Sequence, residues 1–443
     1  MTVSGRFVAL LALGVVPVVL LGAHEATAYA VLGAWIAVCV VLGVIDLLAA
    51  ASPRRVAVER RTPARVRLGA EAPIELLLTN TGSRTIRGQV RDAWEPSAGI
   101  ARSRTPIVIP PRERRRVATT LTPWRRGERR VAQVTVRSWG PLHLTARQAT
   151  LSAPGRIRVL PPFSSRKHLP SRLARLRELD GMTSVMLRGQ GTEFDSLREY
   201  VRGDDVRSID WRATARRHDP TAGHGARVMV RTWRPERDRH VVIVIDTART
   251  SAARIDDEPR IDTAFEASLL LAALASRAGD RVDLLAYDRT VRGRVQGVTG
   301  PDLLPRMVDA MAGIEPALIE MDWSAVPSQV AQLTTQRSLV VLLTSIEAPG
   351  ASRGLLSVLP QLSRKHVVVV ASVTDPETLR ATTARGDRDG VYRAASAERT
   401  LLDVARVTAA VQRLGADVVT GSSADLPPAL SDHYLALKAA GRL

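Results

Sequence analysis

The chain has almost no cysteine: Cys39 stands alone among 443 residues, which excludes an internal disulfide and a thiolate zinc cage. Aromatic residues make up only 4%, too few for a groove that stacks bases or sugars along its length. Lysine is limited to Lys167, Lys365 and Lys438, so the positive charge is carried by arginine. The sequence has no Gly-x-x-x-x-Gly-Lys-Ser/Thr phosphate loop, no His-Glu-x-x-His and no Gly-x-Ser-x-Gly. Gly293, Gly297 and Gly300 are too far apart to cradle a dinucleotide, and the eight histidines do not cluster at ligand spacing. His224 and His240 accordingly read as surface or packing residues and not as ligands. What is present, 45% hydrophobic and 24% charged residues, is close to a globular average, and the length suits two or three domains.

The net charge of +19 is unevenly spread. Residues 51–160 hold 23 Lys+Arg against 7 Asp+Glu, residues 161–238 hold 16 against 11, and residues 239–443 hold 23 against 24. The surplus therefore sits just after a hydrophobic N-terminus, where anionic lipid headgroups explain it as readily as nucleic acid does. Membrane lipid is the expected partner and nucleic acid is not.

Two uncharged apolar runs, 7–22 and 28–45, flank a polar turn at His24 and Glu25. Each is just long enough, with its flanks, to cross a ~30 Å hydrocarbon core at ~1.5 Å per residue. The reading is a transmembrane helical hairpin over 1–53. A competing reading takes the first run as a signal peptide, because Arg6 precedes it and Ala26-Thr27-Ala28 resembles a cleavage site. The second run anchors the chain in either case. Arg6, Arg54, Arg55, Arg60 and Arg61 flank the hairpin and its turn lacks Lys and Arg, which places both ends and the soluble domains in the cytoplasm. Asp46 is expected at the headgroup level, and Cys39 as an apolar packing residue.

Over 54–162 the pattern becomes short alternating runs such as Ile74-Glu75-Leu76-Leu77-Leu78, punctuated by turns at Asn80-Thr81-Gly82 and Trp139-Gly140-Pro141. That pattern predicts an antiparallel β-sandwich with arginines on its solvent face. Those arginines fit lipid or an acidic partner, and equally a plain solvated face.

The densest polar stretch follows, between Gly191 and Arg216, inside a segment 163–238 that otherwise reads as a linker. Its carboxylates and guanidinium groups (Glu193, Arg198, Glu199, Asp204, Asp205, Arg207, Asp210, Arg216) interleave with Phe194, Tyr200, Ile209 and Trp211. The apolar residues are expected to anchor the segment on a core while the charges form bidentate pairs, and Gly203 supplies a sharp turn. Asp204 and Asp205 with Asp210 or Glu193 would make a carboxylate pair suited to acid/base or metal chemistry. The neighbouring arginines lower the carboxyl pKa values and oppose a cation, which favours a structural ion-pair network. A contact surface lies between these readings.

The order Arg-Glu-Tyr at 198–200, Gly-Asp at 203–204, Arg207 and Ile-Asp-Trp at 209–211 resembles the signature of the bacterial domain-of-unknown-function family numbered fifty-eight. The resemblance implies a membrane-anchored protein with a β-domain and a von Willebrand factor A-like domain, working with a MoxR-type AAA+ ATPase. It implies no established reaction.

Residues 239–443 alternate apolar strands and helices: strands at 240–246, 281–287, 338–344, 365–373 and 416–420, helices at 261–278, 401–414 and 428–440. This predicts a doubly wound α/β domain with its ligand site at the carboxyl ends of the central strands. The von Willebrand factor A resemblance implies a divalent-cation site there. Asp246 and Thr250 fit its first loop, but Ala248 has no ligand oxygen, Arg249 brings a positive charge, and Thr344-Ser345 stands where an aspartate is wanted. Asp322 and Glu347 are the carboxylates able to compensate. The expectation is a degenerate, metal-free site in which Arg249 pairs with Asp246, with Mg²⁺ disfavoured and no cofactor or small-molecule substrate. The leading functional expectation is a non-enzymatic inner-membrane adaptor of a MoxR-type ATPase in envelope-related assembly. The alternative is a metal-dependent hydrolase using carboxylates of the 191–216 stretch.

Overall fold

A computed structural model describes residues 2–186, 193–201, 204, 206–216, 228–234, 239–256, 258–383 and 386–443. The chain divides into two compact units, Met1–Pro162 and Phe163–Leu443.

In the first unit a two-residue strand β1 (Thr2–Val3) leads into helices α1 (Gly5–Ala12), α2 (Val15–Leu21) and α3 (Glu25–Ala49). The first apolar run is therefore not one span but two short helices broken at Leu13 and Gly14. The break frees a carbonyl that the indole of Trp35 in α3 satisfies: Nε1 donates to Leu10 O at 3.1 Å. Gly14 is required there, since a Cβ would lie 2.3 Å from Trp35 Cδ1. Among the described residues only α3 is long and apolar enough to cross a membrane. Its 25 residues span about 37 Å. Thr27 closes its first turn, accepting from His24 N and donating to His24 O.

The strands of this unit are β2 (Val56–Arg61), β3 (Arg65–Arg67), β4 (Ala72–Asn80), β5 (Ile86–Asp92), β6 (Arg104–Ile109), β7 (Arg114–Leu121), β8 (Gly127–Trp139) and β9 (Thr145–Leu160). One sheet has the order β1-β9-β8-β5-β6 with β3 beside β9, and the other is β2-β4-β7. Period-two alternation turns Leu76 and Leu78 of one sheet and Val90, Ile107, Val134 and Val136 of the other into a shared core. Arginines do crowd the solvent face, but not all of them. Arg60 turns inward, its guanidinium bidentate to Asp92 at 2.8 Å for both bonds, and Trp94 Nε1 also donates to that carboxylate. Both partners of this pair are buried, so an unbroken charge pair replaces apolar packing at that point.

Asp46 does not point outward as an interfacial charge was expected to. Its side chain is fully buried against the turn between β8 and β9. Oδ1 accepts from Leu142 N (2.7 Å), and Oδ2 accepts from Leu144 N and Thr145 N (2.8 Å each). Gly140 makes the approach feasible, because a Cβ there would sit 2.2 Å from Asp46 Oδ1. Arginines close the C-terminal end of α3: Arg147 Nε donates to Leu47 O and Arg84 to Leu48 O.

The second unit opens with α4 (Leu169–Met186), β10 (Glu193–Glu199), α5 (Trp211–Arg216) and β11 (Met229–Arg234). Then come β12 (His240–Asp246), β13 (Arg254–Ile255), β14 (Glu258–Pro259), α6 (Arg260–Arg277), β15 (Arg281–Tyr287), β16 (Val291–Val295), α7 (Leu303–Ala312) and α8 (Val326–Leu333). The chain ends with β17 (Leu339–Leu343), α9 (Arg353–Ser363), β18 (Val367–Val373), α10 (Pro376–Ala381), α11 (Arg388–Arg413), β19 (Ala416–Gly421) and α12 (Leu426–Ala439). The six-stranded sheet runs β16-β15-β12-β17-β18-β19, parallel except for the antiparallel edge strand β16. Every residue of β12 is buried, as its unbroken apolar run predicts for a central strand covered on both faces. Helix α6 is buried from Ile261 to Ala275 on one face of the sheet. Residues of α8, α9 and α11, including Val330, Leu359 and Val411, pack with alternate strand residues on the other. Glu266 of α6 fixes the entry to this unit, accepting from Ser164 N and Ser165 N at 2.8 and 2.9 Å.

Candidate functional site

The chain order reverses between β12 and β17: β15 and β16 are laid to one side of β12, then β17, β18 and β19 to the other. Such a reversal opens a crevice at the carboxyl ends of the two strands, because their connections diverge. Asp246 ends β12 and Thr344 follows β17, and a cavity lies there, lined also by Thr250, Trp323, Ser345 and Glu347. The Trp323 ring reaches over the start of α9, where a Cβ at Gly354 would meet Cδ1 at 2.7 Å.

Asp246 is 3% exposed. Its Oδ1 accepts from Ala248 N at 2.8 Å, and its Oδ2 accepts from the hydroxyls of Thr344 (2.7 Å) and Thr250 (3.3 Å). Burial pushes its carboxyl above the ordinary range, opposed by the Thr344, Ala248 and Thr250 donors and assisted by the negative charge of Asp288. Thr250 and Asp246 thus come together as the spacing requires, but Arg249 does not join them. Its Nε instead donates to Glu320 at 2.9 Å, because residues 249–252 form a single 3-10 turn that carries the Arg249 side chain outward. The two compensating carboxylates are also engaged elsewhere. Asp322 caps the next turn by accepting from Ser324 N and Oγ, and Glu347 faces Arg260 at 3.4 Å. Among the described residues no group of three His, Cys, Asp or Glu side chains stands at metal-holding distance.

Sequence reasoning passed over Asp288, which directly follows β15, whereas Asp246 is the last residue of β12. The repeated pattern of an apolar strand closing on an aspartate was the available signal. Asp288 is fully buried and accepts from Arg292 Nε (2.6 Å), Thr247 Oγ1 (3.1 Å) and the amides of Arg289 and Thr290. Burial pushes its carboxyl up, but those donors together hold it below the usual carboxylate range. Neighbouring strand ends thus carry two aspartates shifted in opposite directions, one supported by hydroxyls and one by a guanidinium.

The 191–216 stretch lies elsewhere in this unit, on a two-stranded sheet. Strand β10 carries Glu193, Phe194, Arg198 and Glu199 and pairs antiparallel with β11, with a bulge between Phe194 and Ser196. The side chains of Glu193, Phe194 and Arg216 lie outside the described residues, as do Gly203 and Asp205 altogether. Tyr200 N donates to Val228 O. Arg198 pairs with Asp204 at 2.6 Å, and Asp204 also accepts from Val201 N. Arg207 is exposed on the 3-10 turn Val206–Ser208. Ile209 bridges to Val230, which sets Asp210 at the start of α5. Asp210 Oδ1 accepts from the amides of Arg212 and Ala213 at 3.0 Å, and Oδ2 accepts from Arg231 Nε at 2.8 Å. The Ala213 amide and the Arg231 guanidinium hold its carboxyl below the ordinary range.

Asp204 and Asp210 are thus built into turns and ion pairs, on separate loops. The expected apolar anchoring is only partly there. Met229 and Val230 are buried beneath the motif, but Trp211 is 69% exposed, with Leu197, Val201 and Val206 exposed as well. Trp211 occupies the first position of a short capped helix whose buried contact is made by Thr214, which leaves the indole on the outer side.

Comparison with known proteins agrees with the signature. The family model described as "Protein of unknown function DUF58" matches residues 196–398, from β10 into α11. Uncharacterized proteins of Mycobacterium tuberculosis and Mycobacterium bovis are 25% identical over 250 residues, 54% of this chain and 75% of each relative. Among solved structures, the CARDB domain of a Pyrococcus furiosus protein in complex with di-metal ions aligns with 24% of this chain and 91% of its own, at 17% identity and a TM-score of 0.18. A FixG-related protein from Vibrio parahaemolyticus aligns with 24% and 96% at 8% identity and a TM-score of 0.17. Scores this low assign neither a fold nor an activity.

Proposed function

We propose that this chain is a membrane-anchored, non-enzymatic interaction protein that serves a cytoplasmic MoxR-type AAA+ ATPase as partner or adaptor in envelope-related assembly. The observation that carries the reading is the state of the signature stretch. Asp204 and Asp210 are consumed by backbone amides and arginines, while Leu197, Val201, Val206 and Trp211 are offered to solvent. Exposed aromatic and aliphatic residues rimmed by arginine and carboxylate are the composition of a contact surface, not of an acid/base centre. The ATPase as the partner rests on the family resemblance. A von Willebrand factor A-like α/β domain is supported by the strand order with its antiparallel edge, and by a crevice whose hydroxyls and raised Asp246 suit recognition without a cation.

The membrane topology belongs to the same proposal. Strand β1 pairs with Thr145 and Ala146, and Asp46 docks on Leu144 and Thr145, so both ends of the helical segment are held by β9. That supports a path which leaves and returns through one membrane face, and the flanking arginines favour the cytoplasmic face of the inner membrane.

Capture of the cognate ATPase by the full-length protein in detergent tests the reading. Trp211→Ser should reduce capture at least tenfold without altering the melting temperature, the loss expected for an exposed aromatic anchor. No enrichment of the ATPase by the unaltered protein, with or without nucleotide, would overturn the partner.

A further inference from the structure

We propose that the turn between β8 and β9, together with the arginines around the base of the helices, forms a binding surface for the anionic headgroups of the membrane leaflet. This rests on the membrane reading above and adds a ligand and a place to it. The depth of the turn is set by Asp46. Its carboxylate holds the amides of Leu142, Leu144 and Thr145, so residues 141–144 lie beside the last turns of α3. On the outer side of those same turns Ile45 and Leu48 are 53% and 61% exposed. The apolar surface of the helix therefore reaches past Asp46, and the turn beside it sits at headgroup level and not in open solvent. Leu142, 48% exposed at the tip, extends that apolar surface outward from the helix.

Charge selects the occupant. The segments meeting at this level, 1–7, 50–56, 81–91 and 137–149, contain no Asp or Glu. They contribute Arg6, Arg54, Arg55 and Arg84, all exposed. The one carboxylate at this level, Asp46, is buried and turned onto backbone amides, so it does not repel an anion. Exposed guanidinium groups without a facing carboxylate, together with an exposed leucine at a turn tip, match phosphate above acyl chain, which is the chemistry of an anionic phospholipid. A nucleic acid supplies the phosphate but nothing for Leu142 and Leu48.

The test uses the full chain with Cys39→Ala, carrying a polarity-sensitive fluorophore on Leu142→Cys or, as reference, on Gln133→Cys. Gln133 lies six residues up β8 from Trp139, ~20 Å away at the rise of a strand. Each protein is reconstituted into vesicles of phosphatidylcholine alone or mixed with phosphatidylglycerol, and alkaline extraction reports insertion. The probe at 142 should emit further to the blue than the probe at 133, and further still with phosphatidylglycerol. Arg54→Gln with Arg55→Gln should insert normally but lower the selectivity for phosphatidylglycerol, read as co-purifying lipid, by about an order of magnitude. A protein that inserts yet shows the same aqueous emission at both sites and no lipid selectivity overturns this inference alone. A protein released by alkali overturns the membrane reading, and this one with it.

Discussion

Asp46 and Asp246 are both buried carboxylates, one in each unit, and they are held in different ways. Asp46 takes three backbone amides of a single turn at 2.7–2.8 Å, with the Thr145 hydroxyl, which also donates to Gly43 O, more distant at 3.4 Å. Asp246 takes one amide and two hydroxyls, the hydroxyls arriving on rotatable side chains from two separate loops. An amide fixed in a turn has no other position to adopt, so the first arrangement is a permanent rivet. A threonine hydroxyl can turn to a new acceptor at little cost, so the second can exchange partners with whatever enters the crevice. The rivet fastens a turn to a helix, and the exchangeable set lines a crevice.

The comparison breaks first at Asp46. Asp46→Ala leaves the buried amides of Leu144 and Thr145 without that acceptor, each costing about 1–3 kcal/mol, and frees the half-buried amide of Leu142. The first unit should lose about 3 kcal/mol or more, read as a lowered thermal midpoint of the detergent-solubilised protein. Asp46→Asn keeps one acceptor oxygen and should fall between alanine and the unaltered chain. A midpoint unchanged in both variants would show that the turn is held by its strands alone.

That rivet was not legible in the sequence, and the reason is separation. Asp46 near the end of an apolar run reads as an interfacial charge, and its partners lie nearly a hundred positions away. Arg60 was hidden likewise, since period two marks its strand but not that Asp92 waits on the other sheet. Local signals fared better. The apolar run 240–246 closing on Asp246 marked a buried central strand, and helix–strand alternation marked the mostly parallel sheet. The edge strand β16 escaped because Val291-Arg292-Gly293-Arg294-Val295 is short and charged, as exposed edges are. In the signature stretch, the pairing of Arg198 with Asp204 was readable from their spacing, but it is a single contact and not a bidentate pair, and the partner of Asp210 is Arg231, outside the stretch. The outward face of Trp211 was not, because a six-residue helix gives too few positions to establish a buried side.

Asp246 sharpens the comparison through pH. Its carboxyl is raised by burial, so the folded chain binds that proton more tightly than the unfolded chain does. Its contribution to stability is greatest below the unfolded value, declines as pH rises from the unfolded to the raised folded value, and is constant above. Asp246→Asn removes the charge and keeps an acceptor for Ala248 N. Denaturant midpoints should be higher than for the unaltered chain at neutral pH, and the decline across that window should vanish. A lower midpoint at neutral pH would mean that the charged form is the one the crevice is built to hold.

The smallest effect is expected at Asp210, a carboxylate of the motif surface whose shift runs the other way. The Ala213 amide and the Arg231 guanidinium favour its charged form, so the folded value lies below the unfolded one. The stabilisation is complete above the unfolded value and is lost as pH falls through the folded value. Asparagine caps a helix about as well as aspartate, so Asp210→Asn retains the amide bonds at the start of α5 and loses only the ion pair with Arg231. Denaturant midpoints near neutral pH should fall less than for Asp46→Asn. The acid-side loss of stability should become shallower, and Arg231→Gln should reproduce it in an unaltered Asp210 background. If Asp210→Asn destabilises as strongly as Asp46→Ala, the motif is a second rivet, and its exposed apolar residues would need a different explanation from partner contact.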